Sequence, residues 1–163
     1  MKNLRVTVLS TMLSDEKGIG EWGFAALVEA DGRRILFDTG YLPNTVHQNA
    51  QDLGIDLSDI TDVIISHHHD DHTGGLVTLR RELSKKNPAA LSRAHVGQGI
   101  FLSRPGKSGE GNPMVGFRGE YEALGGQFVE HKEPVELAPG VWLTGPVPRV
   151  HPERNWSGKA RIQ

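Results

Sequence analysis

The hydrophobic positions of the first forty residues follow the spacing of a β-sheet. Leu4, Val6 and Val8 alternate with Arg5 and Thr7, which predicts a strand with its apolar side buried. Residues 22–30 and 33–37 form two further apolar segments, separated by Asp31-Gly32. Both central positions of a type I′ turn require positive φ, which aspartate and glycine tolerate, so this dipeptide predicts a hairpin.

Helical and strand patterns alternate through the rest of the chain. Pro43 suits the start of a helix that ends before Gly54, and the nearly continuous apolar run 60–65 predicts a buried strand flanked by solvated Asp59 and Asp62. Leucines at 76, 79 and 83 recur at helical spacing up to Asn87-Pro88. Further along we expect strands at 89–96 and 127–131, a short helix at 119–124 and a hairpin pairing 135–137 with 141–144. These alternations predict a mixed α/β fold.

Composition restricts the class of protein. The chain has 163 residues, 37% hydrophobic content and a net charge of −2, as expected for about one soluble domain. We assign residues 1–149 to that domain and 150–163 to a connector or tail. The charge balance gives no footprint for nucleic acid, and no apolar run approaches the length of a membrane span. Cysteine is absent, which leaves the redox compartment open. The first residues lack a signal-peptide pattern, so we expect a cytoplasmic protein, and we expect it to act on a small molecule.

Residues 66–75, with the sequence SHHHDDHTGG, carry the densest set of metal-binding side chains in the chain. Alternation at a strand end sends His67 and His69 to one side and His68 to the other, so the first two are expected to share an ion. After the turn, Asp71 and His72 are expected to reach a second ion. Imidazole and carboxylate donors suit zinc, with iron or manganese as alternatives. The competing interpretation is a polar surface loop that happens to be rich in histidine.

This His-x-His-x-Asp-His motif resembles the signature of the metallo-β-lactamase superfamily. The segments 37–40 (FDTG) and 143–149 (LTGPVPR) agree with it, and the second is similar to the dihydropterin-ribofuranosylaminobenzene-phosphate synthase branch. The resemblance implies an αββα sandwich and hydrolysis, by a metal-activated water, of a small ester or phosphorylated substrate. It also implies that Asp71 orients that water, and a carboxylate oxygen is suited to accepting its hydrogen bond.

Several residues outside the motif are expected to support the site. Asp38 lies at a strand-to-helix turn, where a capping or loop-organising role is favoured over metal binding. Gly74, followed by Gly75, would let another backbone segment approach closely. His95 is expected near the site as a substrate-binding or supporting residue. Arg149 is expected to bind an anionic group through its guanidinium fork, against the alternative of an ordinary surface arginine.

Two further features leave alternatives open. The glycine- and proline-rich segment 103–113, which contains Arg104 and Lys107, reads equally well as a substrate lid or as an ordinary insertion. Four ligands are too few for two ions, and too few strands are present to cover both faces of a sandwich. We therefore expect the N-terminal half of the fold plus its connector, which either self-associates or is unstable alone. A non-catalytic or degenerate metal-binding module is the alternative function.

Overall fold

The computed structural model describes residues 2–14, 16–147 and 150. The chain runs β1 (Leu4–Ser10), β2 (Ala25–Ala30), β3 (Arg33–Phe37), α1 (Thr45–Asp52), β4 (Asp62–Ile65), α2 (Asp70–Thr73), α3 (Leu76–Ser84), β5 (Arg93–Gly97), β6 (Pro105–Gly106), β7 (Gly109–Glu110), α4 (Pro113–Ala123), β8 (Gln127–His131), β9 (Val135–Ala138) and β10 (Val141–Leu143). The mixed α/β class predicted from the sequence is confirmed.

Six of these strands form one sheet in the order β1-β2-β3-β4-β5-β8, with β9-β10 and β6-β7 as separate hairpins. The first three strands are antiparallel, and Asp31 and Gly32 take φ values of 47° and 83°, as predicted for the turn between β2 and β3. The pairs β3-β4, β4-β5 and β5-β8 are parallel, so the carboxyl ends of four strands meet at one edge. Loops at that edge are the ones able to build a shared site.

A hydrophobic cluster joins the sheet to side chains of α1, α3 and α4. It contains Leu27, Leu36, Val63 and Ile65 from the strands and Leu79 among the helical residues, all at most 2% exposed. The buried α3 leucines confirm the helical spacing read from the sequence. Within the described residues, no helix is long and apolar enough to cross a membrane.

The prediction for the buried side of β1 was wrong. Leu4, Val6 and Val8 are 59%, 54% and 46% exposed, whereas Leu9 is 2% exposed and belongs to the core cluster. Leu9 directly follows Val8, so strand alternation points it to the other, helix-covered face of the sheet. The alternating residues Leu4, Val6 and Val8 therefore lie on the face of the sheet opposite the core.

Two element boundaries also differ from the prediction. The last long helix runs from Pro113 to Ala123 and not over 119–124, because Asn112 caps it by accepting from the Met114 backbone N–H at 3.0 Å. The fifth strand begins at Arg93 and not at 89, since the buried guanidinium of Arg80 holds the carbonyls of Pro88 and Ala90 at 2.7 and 2.5 Å. In both segments the boundary is set by side-chain hydrogen bonds, which the apolar periodicity of the sequence does not reveal.

Candidate metal centre

The motif predicted to bind metal follows β4 directly and lies at the carboxyl edge of the parallel strands. His67, His69 and Asp71 each offer one ligand atom, and these three atoms lie within 4.8 Å of one another. Two imidazole nitrogens and one carboxylate oxygen at this spacing fit a divalent cation of the zinc, iron or manganese group. The sequence prediction placed Asp71 with His72 at a second ion, whereas here its carboxylate lies close enough to share one ion position with His67 and His69.

The short helix α2 brings the chain back over the strand end after His69. His69 precedes the helix with extended φ and ψ of −65° and 146°, and its carbonyl accepts from the His72 N–H at 3.1 Å and from Thr73 Oγ1 at 3.0 Å. These bonds close one turn, so Asp71 returns to the side occupied by His67 and His69. Local sequence alone therefore builds most of the cluster.

His72 lies beside the three-residue group and is oriented by Asp38. Its Nδ1 is 2.7 Å from Asp38 Oδ2, and its Nε2 is 3.7 Å from Asp71 Oδ2. The hydrogen bond with Asp38 raises the pKa of His72 above its ordinary value. With Nδ1 committed to the carboxylate, Nε2 is the nitrogen that faces Asp71. Metal binding by His72 stays a prediction.

Asp38 connects the end of β3 to the metal-binding motif. It is fully buried, has φ of 56°, and accepts from the Ser66 backbone N–H and hydroxyl at 2.7 Å each, in addition to its bond with His72. Carboxylates that orient ligating histidines in this way are typical of metal sites. Its contacts are those of a loop organiser. Ser66 itself was not singled out by the sequence, although its position before the first histidine was visible.

Gly74 and Gly75 allow the segment 39–41 to lie directly against the motif. A Cβ at Gly74 would stand 1.7 Å from the Tyr41 carbonyl oxygen, and a Cβ at Gly75 would stand 2.3 Å from the Thr39 carbonyl oxygen. The Gly74 N–H donates to the Gly40 carbonyl at 2.9 Å. Any side chain at Gly74 would therefore displace the turn that carries Asp38.

A second buried carboxylate holds the loop in front of the site. Glu21 is 7% exposed and accepts from the backbone N–H groups of Tyr41 and Leu42 at 2.9 and 2.7 Å, and from Ser10 Oγ at 2.6 Å. The neighbouring Trp22 is 67% exposed and lines an open cleft of about 530 Å³ together with Tyr41, His69, Asp70 and Asp71. The sequence analysis did not assign a role to Glu21.

On the other side of the motif, His95 belongs to a hydrogen-bonded row of three side chains. Its Nε2 is 2.9 Å from Asp62 Oδ1 and its Nδ1 is 2.9 Å from His131 Nε2. Since a carboxylate only accepts, His95 donates to Asp62 through Nε2, and its Nδ1 faces Nε2 of His131. Burial lowers the pKa of His131, with His95 as a smaller cause. His95 and His131 line one cavity with His67 and His68, which places His95 near the motif.

Asp62 is not the solvated residue that the sequence analysis predicted. Its side chain is 15% exposed and accepts two hydrogen bonds from Arg93, at 2.8 and 2.9 Å, besides the one from His95. Burial alone would raise the pKa of Asp62, but the bonds from His95 and Arg93 outweigh it and hold that pKa well below its ordinary value. The carboxylate is thus charged and fixes the orientation of His95.

His68 is not part of the three-residue ligand group, although the centroid of its ring lies 4.7 Å from that of His69. It lines the cavity that contains His95 and His131, and its pKa is lowered to about 4 by burial and, second, by the charge of Arg104. Arg149, the predicted anion-binding residue, lies outside the described residues, as do Pro148 and His151.

Comparison with known proteins identifies the family. Residues 23–151 match the metallo-β-lactamase superfamily model. The chain is 32% identical over 126 residues to 7,8-dihydropterin-6-methyl-4-(β-D-ribofuranosyl)-aminobenzene-5′-phosphate synthase of Methanocaldococcus jannaschii, covering 76% of this chain and 42% of the relative. It is 32% identical over 122 residues to ribonuclease TTHA0252 of Thermus thermophilus, covering 74% of this chain and 26% of the relative.

A solved structure gives the same result. Tm1679, a metal-dependent hydrolase of the β-lactamase superfamily, matches with a TM-score of 0.65 and 30% identity over 90% of this chain and 49% of its own. The chain thus spans about half the length of Tm1679 and less than half of either curated relative. The match is partial, as predicted. From the motif, the sheet and these comparisons together, the chain belongs to the metallo-β-lactamase superfamily.

Proposed function

We propose that this protein is a metal-dependent hydrolase, or the metal-binding part of one, that acts on a small ester or phosphorylated substrate. The observation that carries the proposal is the convergence of His67, His69 and Asp71 within 4.8 Å at the carboxyl edge of the sheet. Members of the superfamily are typically metal-dependent hydrolases, and the donor set fits a divalent cation.

The proposed centre takes two zinc ions, with His67 and His69 on the first and Asp71 and His72 on the second. A bound divalent cation supplies a water of lowered pKa and polarises the oxygen under attack. In this proposal the Asp71 carboxylate accepts a hydrogen bond from that water. Asp38 keeps the His72 proton on Nδ1, and Ser66 Oγ lies 3.0 Å from His67 Nδ1. The Nε2 atoms of both rings are therefore available to bind metal.

The described residues supply four donors for these two ions, fewer than two complete coordination shells require. We propose that the remaining ligands come from residues outside the described part of the chain, from a second copy, or from the portion of the fold that the longer relatives contain. The cytoplasmic location, the small-molecule substrate and the exclusion of nucleic acid remain predictions from the sequence.

A non-catalytic metal-binding module is the second candidate, and the incomplete donor set favours it. Two tightly held ions with turnover support the hydrolase, whereas a single weakly held ion without turnover supports the module. Metal analysis of protein purified without added metal also decides between zinc, iron and manganese.

The decisive variant is the double substitution His67→Ala and His69→Ala. We expect it to remove at least one ion per chain and any hydrolysis of nitrophenyl esters or phosphates, because two of the three clustered donors are lost. His47→Ala, which removes an imidazole on α1, is the matched control and should retain the metal. Unchanged metal content in the double variant would sink the proposal.

A further inference from the structure

The cavity on the His68 side of the motif has features of an anion subsite. It has a volume of about 440 Å³ and adjoins the metal centre, because His67 belongs to both. Apolar side chains and imidazoles form most of its wall. Among its described lining residues, Arg104 is the only Arg, Lys, Asp or Glu.

The backbone of Arg104 is held in place by Glu110. Glu110 accepts from the Arg104 N–H at 2.8 Å and from Ser103 Oγ at 2.5 Å, and the Arg104 carbonyl accepts from the Gly111 N–H at 2.8 Å. These bonds lie at the open end of the β6-β7 hairpin and fix the backbone from which the arginine projects. A backbone that is already fixed leaves less conformational entropy to lose when the side chain binds a ligand.

The guanidinium of Arg104 has no acidic partner within 4.0 Å among the described residues, unlike Arg5, Arg34 and Arg93. Its Nε is buried and has no hydrogen-bond acceptor there. A buried donor without an acceptor costs free energy, and an oxyanion entering the cavity would supply the acceptor. Arg104 and His68 line the same cavity, so an anion bound by the guanidinium would lie near the His68 ring.

We propose that Arg104 binds an oxyanion group of the substrate, phosphate or carboxylate, in the cavity beside the metal centre. The proposal deepens and rests on the proposed hydrolase function. It specifies a substrate whose hydrolysable bond lies at the metal centre and whose separate anionic group enters the cavity. A guanidinium fork matches both oxyanions geometrically.

The binding test does not require turnover. In metal-free protein, the histidine ring signals are followed by nuclear magnetic resonance during titration with sodium phosphate and, separately, sodium acetate. We expect a saturable shift at His68. Arg104→Gln should weaken binding at least about tenfold, since a charge-assisted hydrogen bond contributes more than the free energy equivalent to that factor. Saturation by phosphate alone assigns phosphate, and saturation by either supports the subsite.

Lys107→Gln is the matched control, because it removes the same charge from the same hairpin at an exposed position outside the cavity. Equal loss in both variants, unchanged binding in Arg104→Gln, or no saturable shift with either anion would overturn the proposal. Arg104→Lys keeps the charge but not the fork and should bind with intermediate affinity. If Arg104→Gln does not fold, by its amide spectrum, unchanged affinity in Arg104→Lys overturns the proposal.

An activity measurement separates this inference from the proposed function. Metal-loaded protein is assayed on a neutral nitrophenyl ester and on the same ester bearing a distal phosphate. Arg104→Gln should raise KM for the phosphorylated ester only. An unchanged KM for both overturns the subsite. Hydrolysis of neither substrate by the native chain supports the non-catalytic module over the hydrolase, and the phosphate titration still decides the role of Arg104.

Discussion

Replacing Asp38 by Asn tests how the metal centre is organised. Asparagine keeps the size of the side chain and tolerates the positive φ of 56°, so the substitution isolates the charge. Asp38 Oδ1 accepts from the Ser66 backbone N–H, and Oδ2 faces both the Ser66 hydroxyl and His72 Nδ1. An amide has only one oxygen for these donors.

Both orientations of the amide lose a bond. With its oxygen toward the Ser66 N–H, the amide nitrogen faces His72 Nδ1, which must become an acceptor. His72 then carries its proton on Nε2, the nitrogen that faces Asp71. With the amide reversed, two N–H donors oppose each other at Ser66. Hydrogen bonds to charged groups contribute about 1.5–3 kcal/mol and neutral ones about 0.5–1.5, so we expect a loss of roughly 1–3 kcal/mol in unfolding free energy.

Metal affinity should fall by about 10–100-fold, the range typical of lost outer-shell partners of ligating histidines. The assays are denaturant unfolding of metal-free protein, competitive zinc titration, and ¹⁵N chemical shifts that report the His72 tautomer. Asp70→Asn is the control, because it removes an exposed carboxylate of the same motif. If the Asp38 variant bound zinc with native affinity and kept the proton on Nδ1 of His72, this reasoning would be refuted.

Three further outcomes are expected. Gly74→Ala should destabilise the fold by about 1–3 kcal/mol or more, because its Cβ meets a backbone oxygen at 1.7 Å, whereas Gly116→Ala, with open space around it in α4, should be neutral or stabilising in the same denaturant assay. The pKa of His131 is lowered in the folded protein, so its contribution to the unfolding free energy is complete above the ordinary histidine pKa of about 6.5. That contribution is lost as the pH falls below this value. The unfolding free energy of metal-free His131→Gln should accordingly depend less on pH between about 7 and 5 than that of the native chain. The exposed apolar side of β1 predicts concentration-dependent association, which sedimentation should show to be reduced by Val6→Lys with Val8→Lys; a stable monomer at every concentration would contradict it.

The metal-binding motif was predictable because it is local. His67, His69 and Asp71 lie within five consecutive residues, so strand alternation and one helical turn determine their relative positions. The hairpin at Asp31-Gly32 was predictable for the same reason. Its geometry depends on two residues and not on the rest of the fold.

The row formed by Asp62, His95 and His131 could not be predicted in that way. Its members are separated by 33 and 36 residues and meet only through the parallel register of β4, β5 and β8. Single-sequence patterns indicate that such strands exist but do not give their pairing. The prediction of the buried face of β1 was wrong for a related reason. Alternation identifies an apolar face but does not show whether another layer covers it.

The placement of Trp22 gives the protein an internal optical probe. Its indole is largely exposed, yet it lines the same cleft as His69 and Asp71, while Glu21 anchors the adjacent backbone. Cobalt(II) or copper(II), bound as a substitute for zinc, would quench indole emission from this position, whereas zinc, with its filled d shell, would change only its wavelength. The occupancy of the metal centre could then be followed by tryptophan fluorescence, in real time and without labelling the chain.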